Sequence, residues 1–351
     1  MPKKLRKKNK RRNILELITE AGLVGRGGAS FPVAKKWKLV KEALKTRKVA
    51  YIVVNGAEGE PGVEKDAYIL KNYPEEVING VYLANQFLGN QKIKKIYFFL
   101  NHSYWEKYLV QLQKVLSQRK YQSLAKKIIF TAKSKDLLYI SGEETALLNY
   151  LEGRKIEPRL KPPYPTEQGL FNAPTLVNNV ETFHDVSLVG RGKFDDKRFY
   201  SINGAVRQRG VFRLPATLTI EDVLRQTDNI PDFPFFVQVG GEAAGEVLNS
   251  DQLERPIEDA GAITVYDLEH TDKNKLLSHW LNFFAAQSCG NCVTCREGTY
   301  RLAELVKQKN HDQKVFTDLL TNLAESSFCA LGRSLPFTIK SYYINILKKK
   351  I

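Results

Sequence analysis

Cysteine occurs at only four of the 351 positions, Cys289, Cys292, Cys295 and Cys329, all in the last quarter of the chain. The first three lie in Ser288-Cys289-Gly290-Asn291-Cys292-Val293-Thr294-Cys295-Arg296-Glu297-Gly298, and Cys329 stands alone 34 positions after Cys295. Three thiolates at C-x₂-C-x₂-C spacing can wrap one corner of a cubane, and a distant fourth can close it. Structural zinc usually takes its ligands as two separated pairs. The spacing therefore favours a four-iron cluster over zinc, and over packing or redox thiols.

A second candidate site is glycine-rich: Gly22-Leu23-Val24-Gly25-Arg26-Gly27-Gly28-Ala29-Ser30-Phe31-Pro32, followed by Lys36-Trp37. Glycines let backbone N–H groups approach a phosphate, and Arg26 and Lys36 add positive charge. Such a loop is as often only a turn. Two acidic segments support a ligand. Asn55-Gly56-Ala57-Glu58-Gly59-Glu60-Pro61-Gly62 follows an apolar run, and Ser141-Gly142-Glu143-Glu144-Thr145 precedes a helical one. Polar residues at strand ends and helix starts are where an α/β sheet grips a ligand's hydroxyls. Compensation of a helix N-terminus would explain one glutamate there, but not the Gly-Glu-Pro-Gly loop.

These segments need a scaffold, and the periodicity supplies one. Apolar β-rich runs at 50–54, 96–100 and 128–130 alternate with helical patterns at 35–46, 75–88, 104–118 and 143–151. Strands separated by helices predict parallel pairing and a Rossmann-like α/β layer over residues 13–190. Pro158-Arg159-Leu160-Lys161-Pro162-Pro163-Tyr164-Pro165 must be extended, because proline restricts itself and the residue before it. Residues 191–268 change character. Short strands near 200–204, 210–212, 235–241 and 262–266, with one helix near 220–226, predict a small α+β insert. From 269 to 351 the pattern is helical again (Leu276, Leu277, Trp280, Leu281, Phe284, Leu302, Leu305, Val306), predicting a bundle that holds all four cysteines.

Composition is that of a folded chain, with 43% hydrophobic and 26% charged residues. Net charge is +16, and eight basic residues lie between Lys3 and Arg12 with no acid among them. Residues 1–12 read as a solvated, disordered tail or an electrostatic contact to a partner subunit. Without interleaved aromatic residues they do not suggest a nucleic-acid platform. No apolar run approaches the ~18 residues needed to span a bilayer, and Glu16 and Glu20 spoil a signal-peptide core. A cytoplasmic protein is expected, in solution or peripheral on the cytoplasmic face of a membrane complex.

The Gly25-Arg26-Gly27-Gly28 loop, the Asn55–Gly62 loop, Gly142-Glu143-Glu144, Pro158–Pro165, Thr175-Leu176-Val177-Asn178-Asn179-Val180-Glu181-Thr182 and the cysteine run occur in this order. Together, over roughly residues 15–345, the chain resembles the NADH-binding flavoprotein subunit of respiratory complex I, whose relatives serve NAD-linked hydrogenases and formate dehydrogenases. The resemblance implies an FMN cradle of Gly25, Arg26, Gly27, Lys36, Asn55, Glu58, Gly142, Glu143, Asn178, Asn179 and Thr182. For NADH it implies Phe31 and Tyr164 against the adenine, Lys161 near the nucleotide, and Glu60 and Glu144 beside the nicotinamide. It also implies a [4Fe–4S] cluster on Cys289, Cys292, Cys295 and Cys329, a β-grasp identity for the insert, and a thioredoxin-like [2Fe–2S] subunit among the redox partners. Three positions depart from the family pattern: Ala57 replaces an aspartate, Ser30 a glycine, and Leu39 a second aromatic ring.

Two other readings stay open at this level. One is a membrane-associated ferredoxin–NAD oxidoreductase subunit, against which four cysteines cannot ligate two Cys₄ clusters. The other is an electron-relay subunit of a hydrogenase or formate dehydrogenase complex with altered or lost NADH activity.

Overall fold

The computed structural model describes residues 12–134, 138–257, 260–308 and 312–351. The tail expected over 1–12 lies outside the described residues, apart from Arg12. The first sheet contains β1 (Ala50–Gly56), β2 (Ile93–Asn101), β3 (Ile128–Lys133) and β4 (Thr175–Asn179). All are parallel, in the order β3-β2-β1-β4. β1 is buried on both faces: Ile52 and Val54 enter one apolar cluster, Tyr51 and Val53 another. That is why its sequence reads as a continuous apolar run rather than an alternating one. β4 was not expected as a strand, because its five residues end in two asparagines.

Helices Val33–Ala43, Pro74–Leu88 and Val180–Gly190 pack on the first of these clusters. The last two approach closely at Gly80, where an added Cβ would lie 1.9 Å from the Phe183 carbonyl oxygen. On the opposite face, Leu147 and Leu148 of helix Glu144–Leu151 cover Val53, Phe99 and Val177.

The second sheet is formed by β5 (Lys197–Gly204), β6 (Gly210–Pro215), β7 (Phe235–Val239), β8 (Glu246–Asn249) and β9 (Ala262–Asp267). Its order is β6-β5-β9-β7-β8, with β5 and β9 parallel and the other pairs antiparallel. Helix Ile220–Gln226 lies between β6 and β7 in sequence, giving the β-grasp arrangement implied by the resemblance. Helices Lys273–Gln287, Val293–Leu305, Gln313–Ser326 and Ala330–Asn345 then share a core that includes Trp280, Leu281, Phe284, Phe316, Leu320 and Leu335.

The proline segment is non-helical through Tyr164, but Pro165 opens a short helix, Pro165–Gln168. A first-turn proline gives up no intrahelical bond, so this position tolerates it. Among the described residues no helix is long and apolar enough to cross a membrane.

Candidate functional site

In the order β3-β2-β1-β4, chain direction across the sheet reverses between β1 and β4. A parallel sheet opens a ligand crevice at the carboxyl ends of its strands at such a point. Asn55 of β1 pairs in register with Asn179 of β4, and Val54 with Asn178, so three of the expected site residues line that edge. Asn55 donates to the Gly142 carbonyl at 2.8 Å, which brings the Gly-Glu-Glu turn to the same place.

Around it the glycine loop closes by backbone bonding, with the Gly25 N–H donating to the Phe31 carbonyl at 2.9 Å. The Arg26 N–H donates to Thr182 Oγ1 at 3.0 Å, and Asn179 caps helix Val180–Gly190 by accepting from the Thr182 N–H and hydroxyl. The Arg26 guanidinium turns back, 3.2 Å from Asp185 and 3.6 Å from Asp196, so it braces the loop. An added Cβ at Gly27 would meet Asn179 at 3.6 Å, and one at Gly142 would meet Ala57 at 3.7 Å. These are ordinary contacts, so protein packing does not demand glycine at either position.

A chain of ion pairs joins three segments at the rim. Lys36 Nζ lies 3.3 Å from Glu144 Oε2, while Lys161 Nζ lies 3.2 Å from Glu144 Oε1 and 2.9 Å from Glu143 Oε1. Burial opposes ionisation of Glu144, but the two ammonium groups outweigh it and hold its pKa below the usual carboxylate range. Burial likewise opposes the charge on Lys161, and the two glutamates raise its pKa. Glu143 also caps helix Glu144–Leu151, accepting from the N–H groups of Thr145 and Ala146 at 2.8 and 2.9 Å. Phe31 and Tyr164 are 37% and 53% exposed, so both rings are open to solvent.

Glu58 and Glu60 bond away from this ion-pair chain. Glu58 takes backbone N–H bonds from Asp66 at 2.9 Å and Ala67 at 3.4 Å, capping helix Lys65–Asn72, and the Tyr104 hydroxyl at 2.8 Å. Burial, with Asp66 nearby, raises its pKa. Glu60 reaches the loop after β7, accepting from Ala243 and Ala244 N–H at 2.8 and 3.1 Å. Burial raises its pKa too, against a bond from the Tyr139 hydroxyl. Tyr139 belongs to no motif in the sequence. Only its contacts with Glu60 and with Gln287, whose side chain accepts its N–H at 2.6 Å, single it out.

At the cysteines, Cys292 and Cys329 are the N-cap residues of helices Val293–Leu305 and Ala330–Asn345. Burial raises the pKa of the Cys329 thiol, against N–H bonds from Leu331 and Gly332. Burial also opposes ionisation of Cys292, but N–H bonds from Phe328 and Cys295 prevail and lower its pKa. Burial pushes Cys295 up to about 11, and the other three cysteines lie near enough to add to the shift. Among the described residues no His, Cys, Asp or Glu cluster is arranged to hold a single metal ion. A cubane takes one cysteine on each iron, so four thiols near one another could hold one.

Residues 18–188 match the Nuo51 FMN-binding domain, and residues 275–345 the NADH-ubiquinone oxidoreductase-F iron-sulfur binding region. A NADH-quinone oxidoreductase subunit of Buchnera aphidicola subsp. Schizaphis graminum is 32% identical, over 91% of this chain and 79% of that protein. The chain belongs to this family of NADH-quinone oxidoreductase flavoprotein subunits. Its relatives include the corresponding NADH-quinone oxidoreductase subunit of Streptomyces coelicolor, 30% identical over 91% of this chain and 78% of that protein. Among solved structures, an NAD⁺-reducing [NiFe]-hydrogenase in the H₂-reduced state aligns with a TM-score of 0.85 and 30% identity. The alignment covers 95% of this chain and 61% of the hydrogenase chain, so this chain spans less than two thirds of that neighbour.

Proposed function

We propose that this chain is the NADH-oxidising flavoprotein subunit of a multi-subunit redox enzyme, binding FMN at the β1/β4 crevice and one [4Fe–4S] cluster on its four cysteines. The observation that carries this reading is the meeting of Asn55, the Gly142 turn and the Arg26–Thr182 contact at one sheet edge, beside two glycines that packing does not require. A bound flavin accepts an electron pair from NADH and releases electrons singly, which is the conversion a one-electron cluster needs.

The chain's own part is binding and orientation. The start of helix Val180–Gly190 and the glycine loop offer N–H groups to a phosphate. Lys36 and Lys161 hold Glu144 ionised and fixed beside the nicotinamide half, and Phe31 and Tyr164 offer faces to the adenine. The proposed flavin contacts are Gly25, Arg26, Gly27, Lys36, Asn55, Glu58, Gly142, Glu143, Asn178, Asn179 and Thr182. Arg26 and Glu58 contribute mainly by bracing the surrounding backbone. Glu60 enters the nucleotide site only by exchanging its bonds to Ala243 and Ala244.

With four cysteines the chain furnishes one Cys₄ set, so electrons pass to a partner. A thioredoxin-like [2Fe–2S] subunit on the cytoplasmic side is the partner proposed, and 13–190, 191–268 and 269–351 are the proposed domains. Ala57, in place of the family's aspartate, favours the second reading, a relay subunit with weakened NADH activity. Anaerobic addition of NADH tests both: rapid bleaching of bound flavin supports the first, and bound flavin that NADH fails to reduce supports the second.

A further inference from the structure

Lys133 ends β3 at the carboxyl edge of the first sheet, and the residue is only 7% exposed. Buried cations elsewhere have partners, as Lys65 has Glu181 at 2.9 Å and Asp66 at 3.2 Å. Lys133 has neither a hydrogen-bond nor an ion-pair partner among the described residues. Burial lowers its pKa to about 8, with no carboxylate acting against it. Its ammonium is aimed at the loop between Glu58 and Glu60: a Cβ on Gly59 would lie 3.1 Å from Nζ. A largely buried ammonium without a counter-charge is costly, and an anionic ligand group in the adjacent crevice would offset that cost.

The sheet order indicates which end of the ligand that is. Phosphate-binding groups gather after β4, at the start of helix Val180–Gly190. β3 lies three strand spacings away, roughly 14 Å at ~4.8 Å per strand. A ribityl chain separates the phosphate of FMN from its ring, so a flavin anchored after β4 and lying along the strand ends would bring its ring toward β2 and β3.

We propose that Lys133 is an electrostatic ligand of the flavin ring, its ammonium opposing the negative charge that the ring gains on reduction. This rests on the FMN reading above. It assigns to Lys133 the task of favouring reduced over oxidised flavin.

The test is spectroelectrochemical titration of the flavin in the holoenzyme, comparing wild type with Lys133→Met and Lys133→Arg. Lys133→Met is expected to bind reduced flavin about tenfold less tightly relative to oxidised flavin, lowering the two-electron potential by about 30 mV. Lys133→Arg keeps the charge and is expected to stay near wild type. An unchanged potential in flavin-loaded Lys133→Met overturns the proposal, and so does an unchanged potential with a raised KM for NADH, which would assign the ammonium to the nucleotide. If Lys133→Met does not hold flavin, FMN affinities of Lys133→Gln are compared in the oxidised and dithionite-reduced states. Equal weakening of both overturns the proposal, and selective weakening of the reduced state supports it. Wild-type protein that takes up no FMN on reconstitution would defeat the functional reading itself, whereas a loaded enzyme with an unshifted potential defeats only the role of Lys133.

Discussion

Lys36 Nζ lies 3.3 Å from Glu144 Oε2, tying the helix behind the glycine loop to the first residue of helix Glu144–Leu151. Lys161 occupies the other oxygen of the same carboxylate at 3.2 Å, so Glu144 has little freedom to move. Glu144→Ala is expected to slow reduction of bound flavin by NADH about 10²-fold, because small losses of orientation cost that much, while flavin content is retained. Glu60→Ala should act in the same direction. Stopped-flow bleaching measures both, and unchanged rates in the pair would remove the nucleotide-site assignment.

The same ion pairs set a pH dependence. The Glu144 pKa is lower in the folded chain than the ordinary value of 4.5. Its contribution to stability is therefore fully present above the unfolded value and is lost as pH falls through the folded one. Wild type should exceed Glu144→Gln in urea midpoint at pH 7, and the gap should close on acidification below pH ~4. A gap that stays constant would show that Glu144 does not depend on its charge.

Glu143 has two roles that substitution can separate. Its carboxylate caps helix Glu144–Leu151, and it also holds Lys161 at 2.9 Å. Glu143→Ala should lose about 1 kcal/mol of stability and release FMN. Glu143→Ser, which can still cap, should recover most of the melting temperature but not the flavin. Bound FMN per chain and thermal melts report the two effects independently.

Gly80 is required by packing rather than by chemistry. With the Phe183 carbonyl 1.9 Å from an added Cβ, Gly80→Ala must push helix Pro74–Leu88 away from Val180–Gly190, at a cost of about 1–3 kcal/mol. Because the second helix carries Asn179 and Thr182 at its start, flavin affinity should fall with stability. Chemical denaturation and FMN titration of this variant should therefore move together.

The cysteines belong to the helical core, which also takes in Ile140 and Ala146 on either side of the Gly142 turn. Cys329→Ser should reduce iron from about four per chain and remove the cluster's EPR signal, while NADH still bleaches the flavin. Transfer to a one-electron acceptor should slow. Zinc without iron in anaerobically prepared wild type would contradict the cluster assignment.

Local order along the chain determined much of this protein. Ala50–Val54 and Ile96–Leu100 are apolar and β-rich enough to be strands in any α/β context, and the cysteine spacing needs no fold to suggest a cubane. The six ordered motifs also sufficed for the family, because each is a short contiguous segment. Helix ends were off by a few residues, as at His102–Leu116 against 104–118, because capping groups such as Asn101 act through geometry that periodicity does not register.

What only the tertiary structure decided involves partners distant in sequence. Thr175–Asn179 is a strand because β1 lies beside it, and Glu246–Asn249 because β7 does. Glu58 reads in the sequence as a flavin contact, and the fold adds that the N-terminus of helix Lys65–Asn72 folds back onto its carboxylate. Glu60 is held by a loop more than 180 positions away, at Ala243 and Ala244. In sequence Lys133 is one basic residue among 54, and only burial without a counter-charge among the described residues sets it apart. A side chain's charge is written in the sequence, but its desolvation and its partner depend on which distant segments fold against it.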